Sequence, residues 1–439
     1  MASPSTPVND KRTINAWAMF DWANSSYALV IMTAIFPIYF ENVADNPIRL
    51  LGWEFSNSTI LSYTFSAAYL LIAIVSPALS GIADYGDRKK FFMQVFTWMG
   101  AIGCMTLFFF TDADTTWIGL ASLMLATIGF AGALVFYNAY LPLIATPDRY
   151  DFISAKGFVY GYIGSLILLV VNLVIFMKYE WFGLPDGGMA ARIDFVLVGL
   201  WWIGFAQIPF RRLPPDRPLE TPMYKLVSKG FGEIRRVWNE VRHEVHTRRF
   251  LVAFFCFSAA SQTVFFLATL FATKELQIET TKLIMTILLL QVVGIGGAYL
   301  FAWLSKLWGN KRALILTLVT WMVVCLIAYF TTEEWQFFLV AALLGLVMGG
   351  VQALSRATYS KFFPTDLHDT TSHFSFYDVL EKGAIVFGTF SFGLIEQLTG
   401  SMRNSVLFLI LFFIIGIALL WRVKVIPADA QHLSTAQIQ

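Results

Sequence analysis

Charge is scarce in this chain. Asp, Glu, Lys and Arg make up 14% of its 439 residues, where a soluble domain carries roughly 25%. That shortage excludes a water-soluble globule of this length. A formal net charge of +2 is too small to mark a nucleic-acid binder, which needs a basic face to neutralise phosphates. Cysteine is rarer still. Cys104, Cys256 and Cys325 each fall in a different apolar run, so a disulfide framework is excluded and buried thiols are expected. Of the histidines, His243, His246, His368 and His373 fall in connections and His432 near the C-terminus; they lack the further ligands of a metal centre. There is no Gly-x-x-x-x-Gly-Lys-Ser/Thr loop to hold ATP phosphates, and no nucleophile and base at interpretable spacing. An enzyme is not expected, nor a cofactor.

What the chain has instead is apolar length. Hydrophobic residues are 57% of it, gathered into runs near 15–40, 58–83, 91–111, 117–141, 153–177 and 192–211, then 250–272, 282–305, 313–331, 335–360, 374–398 and 404–424. Each is close to the ~20 residues that cross a bilayer as helix, and too long for a barrel strand. The expected architecture is all-α: twelve transmembrane helices in two six-helix halves, 1–210 and 250–426, with a linker at 211–249 and a polar tail at 427–439. The first run is too long for a signal-peptide core and lacks a small-residue cleavage site, so it is expected to remain as the first span.

Lys and Arg concentrate in the connections on one side, which places both termini in the cytoplasm, whereas the acidic residues divide evenly. The linker alone holds ten basic and five acidic residues and opens with Pro214, Pro215 and Pro218. Its stretch FGEIRRVWNEVRHEV reads as a short amphipathic helix on the inner membrane surface, or as a solvated tether. Short loops throughout fit a bacterial inner membrane, and a monomer is expected.

The two halves echo one another. GIADYGDRKK follows the second span and LSKLWGNKR the eighth; ISAKGFVYGYIGS opens the fifth and VLEKGAIVFGTFSFG lies in the eleventh, setting Lys156 against Lys382. Parallel halves suit a carrier that rocks about a midplane site. The loop after the second span resembles the signature loop of the major facilitator superfamily. Asp84 stands for its acid and Arg88, Lys89 and Lys90 for its basic run; Gly86 is displaced by one position, and Asp87 stands where Gly is usual. A carboxylate at that helix end can latch onto Arg or Lys when the inner side is closed.

AWAMFDWANSSYALVIMTAIFPIYF, SGIADYGDRKK, KGFVYGYIGS, GGVQALSRATYSKFFP and FSFYDVLEKGA together resemble the autophagy-related vacuole effluxer family and its bacterial relatives, a branch of that superfamily. The resemblance covers nearly the whole membrane core and implies secondary transport. Amino acid efflux from the vacuole is ascribed to the fungal members. The superfamily arrangement implies that spans 1, 4, 7 and 10 line a central cavity.

Polar residues inside spans are too costly to ignore: a mid-helix acid costs roughly 2.5–3.5 kcal/mol on insertion scales. Asp21, Asn24 and Tyr27 follow i, i+3, i+6 spacing and share about one helix face. Asp21 either pairs with a basic residue on a neighbouring helix or carries the coupling proton. Gln352 and Arg356 share a face at i, i+4. The guanidinium suits a solute carboxylate, a headgroup or an inner-gate salt bridge. Asn138 and Gln262 complete the candidate solute contacts. Asp378 and Lys382 form an i, i+4 pair that neutralises itself. Glu381 then either exchanges a proton or pairs with Lys156. Asp84, Arg88, Lys89, Lys156, Asp378 and Lys382 are the candidate gating charges.

The expectation is a facilitator that moves a small polar solute, amino acids first, by alternating access with a proton or another ion. Carriage of peptides, sugars or cell-wall fragments, or a non-transporting sensor of the same fold, are the alternatives.

Overall fold

The computed structural model describes residues 8–45, 47–50, 53–216, 232, 235–363 and 370–424. Pro218, His368 and the tail with His432 lie outside the described residues. The first six long helices are α1 (Lys11–Ser26), α2 (Asn57–Tyr85), α3 (Lys89–Thr106), α4 (Thr116–Asn138), α5 (Tyr150–Met177) and α6 (Gly187–Arg212). The last six are α7 (Val245–Glu275), α8 (Thr280–Trp308), α9 (Asn310–Phe330), α10 (Glu334–Ser360), α11 (Thr370–Thr399) and α12 (Met402–Trp421). Among the described residues, ten helical stretches are both long and apolar enough to cross a bilayer. Large hydrophobic side chains such as Leu70, Ile74, Leu339 and Ile414 lie exposed on these helices. Such a surface suits lipid and would associate in water. This is an all-α membrane fold.

Two local departures from the expected spans matter. The first span is not one continuous α-helix. After Ser26 it widens into a π-helical segment, Tyr27–Ala34, in which the amide of Ile35 donates to the Val30 carbonyl five residues back, at 2.8 Å. A further short α-helix, Phe36–Val43, and a small hairpin pairing Ile48–Leu50 with Trp53–Phe55 follow. The sixth helix begins at Gly187 rather than near 192, because the Asp186 carboxylate accepts from the Met189 amide at 2.7 Å and caps it.

The chain divides into two compact units. One contains Lys11–Asn138 and Tyr160–Phe231; the other contains Pro7–Asp10, Ala139–Val159 and Gly232–Gln439. The division differs from the expected halves in one respect: residues 139–159, which include the start of α5, group with the second unit.

In the first unit α3 packs on α4 and α6, α1 on α6, and α2 on α4. The remainder of α5 approaches α1 closely, since a Cβ on Gly161 would lie 2.5 Å from the Ser25 Oγ. Small residues permit this contact where lipid gives helices no hydrophobic reason to associate. In the second unit α8 packs on α10, α7 on α11 and α12, and α9 on α10 and α12. Gly345 and Gly297 provide the α8–α10 contact, as a Cβ on either would overlap a backbone carbonyl of the other helix. Gly296 faces open space.

The described part of the linker from 235 onward packs within the second unit. It is helical over 235–243, with Val237 and Val241 buried in the core of the second unit and Trp238 against the Phe376 ring at 5.7 Å. Its apolar face is therefore covered by protein, while Arg236 and Glu240 are about half exposed.

Candidate functional site

In the first unit the polar centre is built on α1 and α4. Asp21 is 4% exposed, and its Oδ2 accepts a hydrogen bond from the Tyr137 hydroxyl at 2.6 Å. Tyr137 is held from both sides of its own residue. Its ring stacks on Trp17 at 4.5 Å and Phe20 at 5.0 Å, and its carbonyl accepts from the Trp17 indole at 3.0 Å. Asp21 is thus paired with a phenol on a neighbouring helix, a partner that spacing within α1 could not reveal.

Asn24 is buried, and its side-chain oxygen has no hydrogen-bond partner among the described residues. Tyr27 has no exposed surface. Its hydroxyl lies 2.7 Å from Thr127 Oγ1, and its ring meets Phe130 at 5.2 Å and Trp202 at 5.9 Å. Asn138, the last residue of α4, is half-buried.

At the α2–α3 turn Lys89 pairs with Asp84 at 2.8 Å, both side chains almost fully buried. The Arg88 guanidinium lies over the Phe91 ring, 5.8 Å from its centroid. The same turn is held by a residue the motif does not contain. Asp216, beyond the end of α6, accepts from the amides of Lys90 at 2.9 Å and Phe91 at 2.7 Å, and so caps α3. Burial pushes this carboxyl above its ordinary range, and the two amide donors oppose that shift.

The second unit holds two polar clusters. The first joins α7 to α11. Lys382 Nζ lies 2.8 Å from Asp378 Oδ1 and 3.4 Å from Glu381 Oε2, and Gln262 donates to Glu381 Oε1 at 3.2 Å. Glu381 therefore has Gln262 and Lys382 as partners, where the expectation was proton exchange or a pair with Lys156. Lys156 itself is half-buried on α5. Asp378 is 3% exposed and its Oδ2 has no hydrogen-bond partner among the described residues, while the Glu381 side chain retains 23% exposure. Two carboxylates gather on one ammonium, so with all three ionised the cluster is net negative.

The second cluster joins the start of α5 to α8, α9 and α10, and sequence reasoning missed most of it. Asp151 accepts from Ser305 at 2.7 Å, Asn310 at 2.6 Å and Lys361 at 2.7 Å. Thr358 donates to the Asn310 side-chain oxygen. One turn along α5, Arg356 donates to Ser154 twice, Nε to Oγ and Nη2 to the backbone carbonyl, both at 2.8 Å, and lies over the Phe158 ring at 4.4 Å. Gln352, one turn before Arg356, is half-buried. Asp151 and Lys361 lie just outside the expected spans at 153 and 360, where a charge reads as ordinary flanking.

This fold is that of the major facilitator superfamily transporters. Over 94% of this chain it superposes on the whole of the human organic anion transporter MFSD10 (TETRAN), with a TM-score of 0.71 at 13% identity. It matches all of the transporter FucP in its outward conformation over the same share of this chain, with a TM-score of 0.69 at 12% identity. Within that class the chain belongs to the Atg22-like vacuole effluxer family, whose sequence pattern matches residues 9–432.

It is 29% identical to the uncharacterized MFS-type transporter YxiO of Bacillus subtilis, over 92% of this chain and 93% of that one. It is 23% identical to autophagy-related protein 22-1 of Phaeosphaeria nodorum, over 96% and 91% respectively. The protein is a multi-pass membrane transporter, not an enzyme.

Proposed function

We propose that this transporter exports amino acids by proton-coupled alternating access, as a monomer in a bacterial inner membrane with both termini cytoplasmic. The observation that carries the coupling is the α7–α11 cluster, where Asp378 and Glu381 gather on Lys382. Net negative when fully ionised, it approaches neutrality by taking one proton, and a low-dielectric surrounding favours neutrality. Glu381, the more exposed acid, is the entry point, and Gln262 reports its charge to α7 through their hydrogen bond.

Asp21, held by Tyr137, is the second coupling candidate. Asn24, with its free side-chain oxygen, is the best-placed solute contact on α1, alongside Asn138, Gln262 and Gln352. Arg356 acts with Asp84, Arg88, Lys89 and Lys156 as a gating charge, since Ser154 and Phe158 already occupy its guanidinium. Export and the amino acid class are supported by the effluxer family to which the chain belongs. Coupling to protons is supported by relatives of the same fold described as proton symporters of fucose and xylose. The one-sided distribution of Lys and Arg supports the orientation.

The test is transport in liposomes with a labelled amino acid panel, with and without an imposed proton gradient, for wild type, Glu381→Gln and Asp21→Asn. Gradient-driven accumulation by wild type is expected to be lost in Glu381→Gln, with counterflow exchange retained. Movement of sugars or peptides but no amino acid would overturn the solute class. Accumulation by both variants equal to wild type would overturn the coupling.

A further inference from the structure

Asp194 was not singled out by its sequence position, because the expected start of the sixth span at 192 left it at the membrane edge. With α6 beginning at Gly187 it lies two turns inside the helix, with no exposed surface. Neither carboxylate oxygen has a hydrogen-bond partner among the described residues. Its surroundings along α6 are hydrocarbon. Ala190, Ala191, Phe195 and Val198 have no exposed surface, and the Phe195 ring meets Phe36 and Tyr39 edge-on at 5.7 and 5.4 Å.

Among the described residues, the ionisable groups that face this part of α6 are engaged elsewhere or uncharged. Arg192 turns its guanidinium over the Phe108 ring at 5.5 Å. Asp186 caps α6. The Tyr39 hydroxyl donates to the Phe110 carbonyl at 2.6 Å. Asp112 is bound to Thr111 and Thr115. Cys104 on α3 is a buried free thiol, and Asp21 on α1 holds Tyr137.

An ionised carboxylate with no partner in an apolar interior is the least favourable state this side chain could take, whereas the neutral acid sheds most of that penalty. We infer that Asp194 is a proton-binding site. It carries a proton in the conformation described, and it gives that proton to water only in a conformation that brings water or a cation to the carboxyl. The exchange is a simple one: the O–H bond breaks, water takes the proton, and the carboxylate keeps the electron pair. The site lies in the first unit, and its existence does not rest on the α7–α11 cluster or on any solute. It makes the equilibrium between conformations depend on pH, with alkaline conditions favouring whichever conformation hydrates Asp194.

Infrared spectroscopy of the full chain in lipid nanodiscs at neutral pH tests this directly, by the C=O stretch of a buried carboxylic acid. Wild type is expected to show one such band more than Asp194→Asn, whatever the α7–α11 cluster contributes to both spectra. Because the amide has nearly the shape of the neutral acid, the Tm of the variant should stay within a few degrees of wild type. An unchanged band in a folded Asp194→Asn protein would overturn the assignment. Should that variant fail to fold, Asp194→Glu decides: a displaced band supports the site, and a band identical to wild type refutes it. Loss of amino acid transport without these spectral results would bear on the proposed function alone.

Discussion

Asp151 and Lys361 form a 2.7 Å ion pair across 210 positions of chain. The pair ties the first turn of α5 to the residue after α10, and both side chains are only 13% exposed. Ser305 and Asn310 complete the coordination of the same carboxylate, so its charge is satisfied from three elements beside α5. Arg356 and Ser154 repeat the tie one turn further along. Residues 139–159 group with the second unit, and these polar links lie within it.

Removing the ammonium alone leaves a carboxylate buried without its cation. Lys361→Met is therefore expected to destabilise the protein by about 3 kcal/mol. In the double variant Asp151→Asn, Lys361→Met no bare charge remains, and Ser305 and Asn310 still meet a polar side chain. The double variant should be more stable than the Lys361→Met single. Thermal unfolding of wild type, Asp151→Asn, Lys361→Met and the double variant in nanodiscs gives the cycle, and strictly additive losses would show that the pair is not coupled.

A second expectation concerns pH. Burial holds the Asp216 carboxyl above its ordinary range, against the pull of the Lys90 and Phe91 amides. A carboxyl whose folded pKa exceeds its unfolded value, about 3.9, contributes stability in the acid range that is lost as pH rises through the folded value. Asp216→Asn keeps an acceptor for the α3 amides and removes the titration. The wild-type minus variant difference in Tm should therefore fall as pH is raised through mildly acidic values. A difference that grows over the same interval would mean that the amide donors outweigh burial, reversing the sign.

The long helices were legible because lipid imposes a length and a composition on every span, and neither depends on tertiary detail. Asp378 with Lys382 was legible for a similar reason, since both lie on one helix at one-turn spacing. What could not be read were partners on other elements. Tyr137 for Asp21, Gln262 for Glu381 and Ser154 for Arg356 are separated by more than a hundred positions, and no local periodicity encodes them. Errors of a few residues at helix ends did the rest. Asp151, Asp194 and Lys361 all fell at the edges of expected spans, where a charge is cheap, and the structure places each in a buried polar contact or an apolar interior. The linker pattern leaves a membrane-surface helix and a solvated tether open, and neither reading names the protein core in which Val237 and Val241 are buried.

Asp21 and Tyr137 give the last expectation. Tyr137→Phe keeps the ring against Trp17 and Phe20 and leaves the Trp17 indole bound to the same backbone carbonyl, which isolates the 2.6 Å hydroxyl contact. A hydrogen bond to a charged group contributes about 1.5–3 kcal/mol, and a loss of stability of that size, read as a lower Tm, is expected. Asp21→Asn retains an acceptor for the phenol and should cost less. The ordering of the two variants reports the charge on Asp21. If Asp21 is ionised, Tyr137→Phe is the more damaging change. If it is protonated, the acid can still donate elsewhere and the two losses converge. Thermal unfolding of both variants at neutral pH reads the ordering without any solute.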